Sequence, residues 1–126
     1  MSDYLPRYKP GQAITLQASA AITGGRLVAV SGSGTVATAG ADSALVVGVA
    51  AYDVAASGDK VTVFNGGVQK LVASGAITAG AGVVSDASGK VKSATTATAA
   101  AAGTLLGRAL TTVAADGDIV DVLIGG

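Results

Sequence analysis

The stretch that decides the fold is Val46–Val63, VVGVAAYDVAASGDKVTV, read against Leu105–Val122, LLGRALTTVAADGDIVDV. Nine of these 18 aligned positions are identical: Gly48/Gly107, Ala50/Ala109, Val54/Val113, Ala55/Ala114, Ala56/Ala115, Gly58/Gly117, Asp59/Asp118, Val61/Val120 and Val63/Val122. A second match precedes each copy. Ala21-Ile22-Thr23 aligns with Ala76-Ile77-Thr78, Gly25 with Gly80, Val28 with Val83, Ser33-Gly34 with Ser88-Gly89 and Val36 with Val91. The offset is 55 residues from Ile22 to Ile77 and 59 from Asp59 to Asp118, so a few residues are inserted in between, in the Ala/Thr tract. The chain reads as an arm over residues 1–11 and a single domain over 12–126, divided into copies over about 12–66 and 67–126. Two copies are too few for an open solenoid, which favours a closed pseudo-twofold domain.

Within each copy apolar and polar residues alternate with a period of two, as in Lys60-Val61-Thr62-Val63-Phe64, Thr35–Thr38 and Ile119–Leu123. Enrichment in Val and Thr favours strands. The continuous run Ala44–Ala50 suits a strand covered on both faces. Gly-containing turns recur at Gly24-Gly25, Gly32-Ser33-Gly34, Ser57-Gly58-Asp59, Asn65-Gly66-Gly67, Ser88-Gly89 and Asp116-Gly117-Asp118. Asn65-Gly66 and Asp116-Gly117 accept the positive φ that tight hairpins need. Gly58, Asp59, Gly117 and Asp118 are read as structural turn residues. The expected fold is all-β, a compact β-sandwich or β-barrel built from two tandem repeats. Thr95–Ala102, TTATAAAA, is expected to be a loop, with a short helix favoured by Ala propensity as the alternative.

Composition removes most chemistries. The 126 residues include 8 Lys+Arg and 8 acidic residues, all Asp, with no His and no Cys. No imidazole base, Cys nucleophile, disulfide or ordinary zinc site is available. Zero net charge without a basic run argues against tracking of a nucleic-acid backbone. No run reaches the roughly 18 apolar residues of a membrane helix, and the start lacks the apolar centre of a signal peptide. A soluble protein with no cofactor and no membrane partner is expected. The core, filled by Ala, Val and Gly, is expected to be thin and to draw support from partner subunits.

The remaining motifs are weak. Ser88-Gly89-Lys90 resembles the end of a phosphate-binding loop, but Val84 stands where that loop needs Gly and Val91 where it needs Ser or Thr. Asp116, Asp118 and Asp121 carry oxygens suited to Ca²⁺, yet the first copy has Ser57, Asp59 and Thr62 there, and the twelve-residue loop ending in Glu is missing. A turn Asp bonding its local backbone accounts for the shared Asp more simply. A Ser-Lys pair with Lys60, Lys70, Lys90 or Lys92 is not fixed by any spacing. No catalytic, cofactor-binding or metal residue is assigned, and the protein is read as not an enzyme.

The arm differs from the rest. It holds both Pro residues, two of the three Tyr, Arg7 and Lys9. Pro6 and Pro10 favour an extended segment, and Tyr and Arg are enriched at interface hot spots. Tyr4, Leu5, Pro6, Arg7, Tyr8 and Lys9 are therefore the expected contacts with a partner surface. A module that binds surfaces or glycans is the alternative, with Tyr52, Phe64 and Asn65 as its exposed patch.

Pro10-Gly11, Ala21-Ile22-Thr23-x-Gly25, Leu27-Val28-Ala29-Val30, Val47-Gly48-Val49-Ala50, Ala56-x-Gly58-Asp59-x-Val61-x-Val63, Leu106-Gly107-Arg108-Ala109-Leu110 and Ala115-x-Gly117-Asp118 together resemble the small phage head-decoration, or capsid cement, proteins. Relatives of these proteins are often mislabelled as RecA/RadA-like recombinases, a label that the failed phosphate-loop pattern contradicts. The resemblance covers nearly the whole chain after the arm. It implies a β-rich structural virion protein on the outer surface of the capsid, made in the host cytoplasm. It also implies binding to the major capsid protein and self-association, often as a homotrimer.

Overall fold

A computed structural model describes residues 4, 7, 8 and 11–125. The described residues form ten strands and one short α-helix. They are β1 (Ile14–Ala18), β2 (Leu27–Gly32), β3 (Thr35–Thr38), β4 (Val46–Ala50), β5 (Lys60–Phe64), β6 (Val68–Val72), β7 (Gly82–Ser85), β8 (Val91–Ala94), α1 (Thr96–Ala102), β9 (Gly107–Ala109) and β10 (Ile119–Ile124). The fold is all-β, as the period of two predicts.

The first five strands close into a barrel in the order β1-β3-β2-β4-β5. Only β1 and β3 run parallel; the other pairs are antiparallel. The last five form a sheet in the order β6-β10-β9-β7-β8. A single parallel bridge, Ala73↔Val91, links β6 to β8 across its open side, where the barrel has the two pairs Gln17↔Thr35 and Ala18↔Val36.

Main-chain bonds fall at matched positions in the two halves. Ala18 N donates to Asp59 O and Ala73 N to Asp118 O; Gly58 N donates to Ala18 O and Gly117 N to Ala73 O. Isolated antiparallel bridges join Ile22 to Val54 and Ile77 to Val113. The change of offset in the alignment falls between β8 and β9, where α1 lies.

Two apolar cores result. Ala18, Ile22, Val28, Val36, Ala50, Val54, Val61 and Val63 fill the barrel. The other core joins Leu27, Ala39 and Val49 of the barrel to Leu71, Ile77, Val83, Val91, Val120 and Val122 of the second sheet. Successive residues on β2 thus serve different cores, Val28 inward and Leu27 into the junction, as strand alternation requires. Polar bonds seal that junction. Ser85, the buried polar residue of the core, donates its hydroxyl to Gly40 O at 2.8 Å and accepts from Ser43 N at 3.0 Å. Lys92 Nζ meets Asp42 Oδ2 at 3.0 Å. Asp42 N donates to Ser85 O, and Gly89 N to Ala39 O.

Three expectations are corrected. Asn65-Gly66 is not a hairpin turn. β5 pairs with β1 and β4, whereas β6 pairs with β10, so Asn65-Gly66-Gly67 carries the chain from one sheet to the other. Gly66 and Gly67 are left-handed, at φ of 66° and 64°. The positive φ falls on the two glycines and not on Asn65, and it serves a crossover. Asp116-Gly117 does form a tight turn, closed by Asp118 N on Ala115 O, but it lies within the long connection between β9 and β10 rather than joining them as a tight hairpin. Finally, the expected loop over Thr95–Ala102 contains α1. Its Ala residues carry high helix propensity, Ala99 packs inward, and Gly103 ends the helix at φ 74° with its N–H on Ala99 O and Ala100 O.

Candidate interaction surface

The arm's expected contacts are only partly visible. Tyr4 is 86% exposed, and Arg7 is exposed. Tyr8 faces its own chain: its hydroxyl donates to Thr15 O at 3.1 Å and accepts from Thr15 N at 3.3 Å. Leu5, Pro6 and Lys9 lie outside the described residues.

The turn residues sit where the alignment puts them. Gly58 and Gly117 have φ of 94° and 93°. Asp59 N donates to Ala56 O, and Asp118 N to Ala115 O. The Asp118 carboxylate also accepts from Ala114 N at 3.3 Å and Ala115 N at 3.1 Å. The other candidate Ca²⁺ carboxylates point to separate tasks. Asp116 pairs with Lys90 Nζ at 2.9 Å, and Asp121 stands opposite Lys70 on β6.

Ser88-Gly89-Lys90 forms a 3-10 turn capped by Asp86. Gly89, at φ 70°, lies against Leu27 O and Arg26 Cβ, where a Cβ would come within 2.8 and 2.9 Å. That close approach, rather than phosphate, accounts for the glycine. The Asp86 carboxyl is held below its ordinary range first by the Ser74 hydroxyl and then by Ala87 N–H. The Asp42 carboxylate holds the Lys92 ammonium above its usual range. Both shifts favour the charge each group already carries at neutral pH, so neither creates a proton donor or acceptor suited to catalysis.

A concavity of about 680 Å³ lies at the junction and is lined by Thr23, Arg26, Thr38 and Ser88 among others. Its one cation is engaged: Arg26 Nη1 donates to Ser88 O at 2.9 Å. A second groove, about 460 Å³, runs between Val49–Ala51 and Phe64 on the barrel side and Val68–Lys70 of β6.

What the surface does offer is apolar area. On the outward face of the second sheet, Val68 stands opposite Leu123, and Val72 opposite Ile119. Val68 is 54% and Ile119 55% exposed, and Leu123 and Leu110 are exposed as well. Lys70 and Asp121 lie between these two rows. Phe64, 45% exposed, lines the far side of the groove. The matched positions of the barrel are Ala13, Thr15, Gln17, Lys60, Thr62 and Phe64, of which Phe64 alone is large and apolar. Sequence reasoning missed this face, although Val68, Ile119 and Leu123 at alternate outward positions of β6 and β10 were its signal.

Residues 8–124 match the family model of the phage cement proteins. The chain belongs to the phage cement protein family. It is thus a structural, capsid-associated phage protein, and the family assignment covers almost all of the described chain. Among solved structures the cement protein is similar to the N base of the head fiber gp8.5 of bacteriophage phi29, with a TM-score of 0.70 and 19% identity over 90% of this chain and 92% of that one. At that identity the likeness shows the shared fold. No curated protein sequence matches the chain.

Proposed function

We propose that this cement protein is a non-enzymatic decoration subunit that binds the outer surface of the capsid. There it bridges neighbouring copies of the major capsid protein and stabilises the shell. The observation that carries this reading is the exposed apolar face of β6 and β10, combined with family membership. Exposed apolar residues grouped on one face mark a protein contact, and here the cross-strand Lys70–Asp121 pair lies between the two apolar rows. A subunit that binds assembled shell but not free capsid protein stabilises the shell by mass action, and many identical copies multiply a modest contact. The two halves are proposed to be tandem copies, with residues 1–11 as an arm. Tyr4, Leu5, Pro6, Arg7, Tyr8 and Lys9 contact the capsid or a neighbouring subunit, and the working unit is a homo-oligomer, by the family pattern a trimer. The Tyr52, Phe64 and Asn65 patch runs on into Val68, which suits a protein contact better than a glycan.

Removing residues 1–10 tests the arm. Occupancy on heads stripped of the protein is expected to fall at least about tenfold, as for loss of a hot spot worth roughly 1.4 kcal/mol or more. The far-UV circular dichroism of a β protein is expected to persist. Undiminished occupancy would refute the arm's role.

A further inference from the structure

The groove beside β6 has an unused strand edge. Ile124 N donates to Gly67 O and Ala73 N to Asp118 O. These two bonds fix the phase of the β6–β10 ladder, so Val68 and Lys70 occupy its non-bonded positions. Their main-chain N–H and C=O point away from β10, and no partner for them occurs among the described residues.

The matching position on the barrel is Thr15, which stands at the same phase opposite Thr62. Its N–H and C=O are both satisfied by the hydroxyl of Tyr8, from the arm. One arm tyrosine therefore serves the first edge, and among the described residues nothing serves the second. Tyr4, the other arm tyrosine, is 86% exposed.

Charge points the same way. Neither Lys70 nor Asp121 enters an ion pair among the described residues. Asp3 and Arg7 flank Tyr4 in the sequence, an order of signs that complements Lys70 and Asp121. The groove between Phe64 and Val68 holds about 460 Å³, room for an aromatic side chain beside an added strand.

We propose that the β6 edge and its groove receive the N-terminal arm of a second copy of this chain, with Tyr4 seated against Val68 and Phe64 and the arm's main chain hydrogen-bonding Lys70. Strand addition of this kind draws affinity from main-chain bonds and specificity from alternate side chains. The inference deepens the proposed self-association and leaves capsid binding as a separate question.

The chain has no Cys, so engineered thiols report cleanly. Mixing Tyr4→Cys protein with Lys70→Cys protein, free and on heads, is expected to give disulfide-linked dimers under mild oxidation. Neither variant alone should give that heterodimer. Lys70→Pro removes only the outward N–H, at a position where an edge strand tolerates Pro. It is expected to shift the free protein from oligomer to monomer on light scattering while its circular dichroism stays that of the parent. Lys70→Ala, which keeps the N–H, should remain oligomeric. The proposal is overturned if the mixed variants do not link in either setting, or if a Tyr4→Cys/Lys70→Cys double variant closes only within one chain. Linkage of Tyr4→Cys to the capsid protein in place of Lys70→Cys would overturn it too, while supporting capsid binding.

Discussion

Replacing Gly107 by alanine is expected to lower the melting temperature by roughly 10 °C or to prevent folding. Gly107 lies opposite Ile124 in the β9–β10 pair. A Cβ there would collide with the carbonyl oxygen of Leu123 and lie 2.8 Å from its carbonyl carbon and 3.1 Å from Ile124 Cα. All three are main-chain atoms of a strand paired on both sides, by β9 and by β6. Relief requires β10 to shift, which disturbs both ladders. Overpacking of this type costs about 3 kcal/mol or more, a large share of the total stability of a domain this size. Gly48 repeats the constraint in the barrel: a Cβ would strike Phe64 O and come within 2.7 Å of Val63 Cγ1. Gly117→Ala is the control. Nothing lies near its Cβ, and only the strain of φ 93° remains, about 1 kcal/mol. Thermal melts of the three variants check the ordering; a Gly107→Ala protein as stable as Gly117→Ala would contradict the close strand approach.

The second large effect is expected at Leu27, whose truncation to alanine costs about 3 kcal/mol. Leu27 is fully buried, and its cluster includes Leu71, Ile77, Val83 and Val120 of the other half. The cavity therefore opens between the halves rather than inside one of them. Hydrogen exchange in Leu27→Ala protein should accelerate in β2 and in β7 alike, since the halves share this core. Acceleration confined to the barrel would mean that the halves are stabilised independently. Leu45→Ala, at a residue 60% exposed, should change stability by less than about 0.5 kcal/mol.

These two positions also show what the sequence makes legible. Gly48 and Gly107 appear in the alignment as an identical pair, and the structure gives the reason: each lets a neighbouring strand's main chain come close. Gly58 and Gly117, also paired, both adopt positive φ. Alternation located β5 and β10 to within a residue. Strand partners were less legible. Asn65-Gly66 fits a hairpin by local chemistry, and only the pairing of β6 with β10 reveals a crossover. Thr95–Ala102 has no apolar period, so Ala propensity is the one local signal for a helix, and the contact of α1 with β7, with Ala99 buried, completes it. The apolar outer face of β6 and β10 was hidden for a related reason. Which side of the sheet Val68, Ile119 and Leu123 occupy follows from the register of β6 with β10.

The central claim is that this cement protein works by holding a shell together. The most direct test compares heads carrying the full protein with heads from which it has been omitted, under graded heating and osmotic shock. The account predicts that bare heads release their nucleic acid at lower temperature and milder shock, and that adding back the purified protein restores resistance. Equal survival of bare and decorated heads would contradict it.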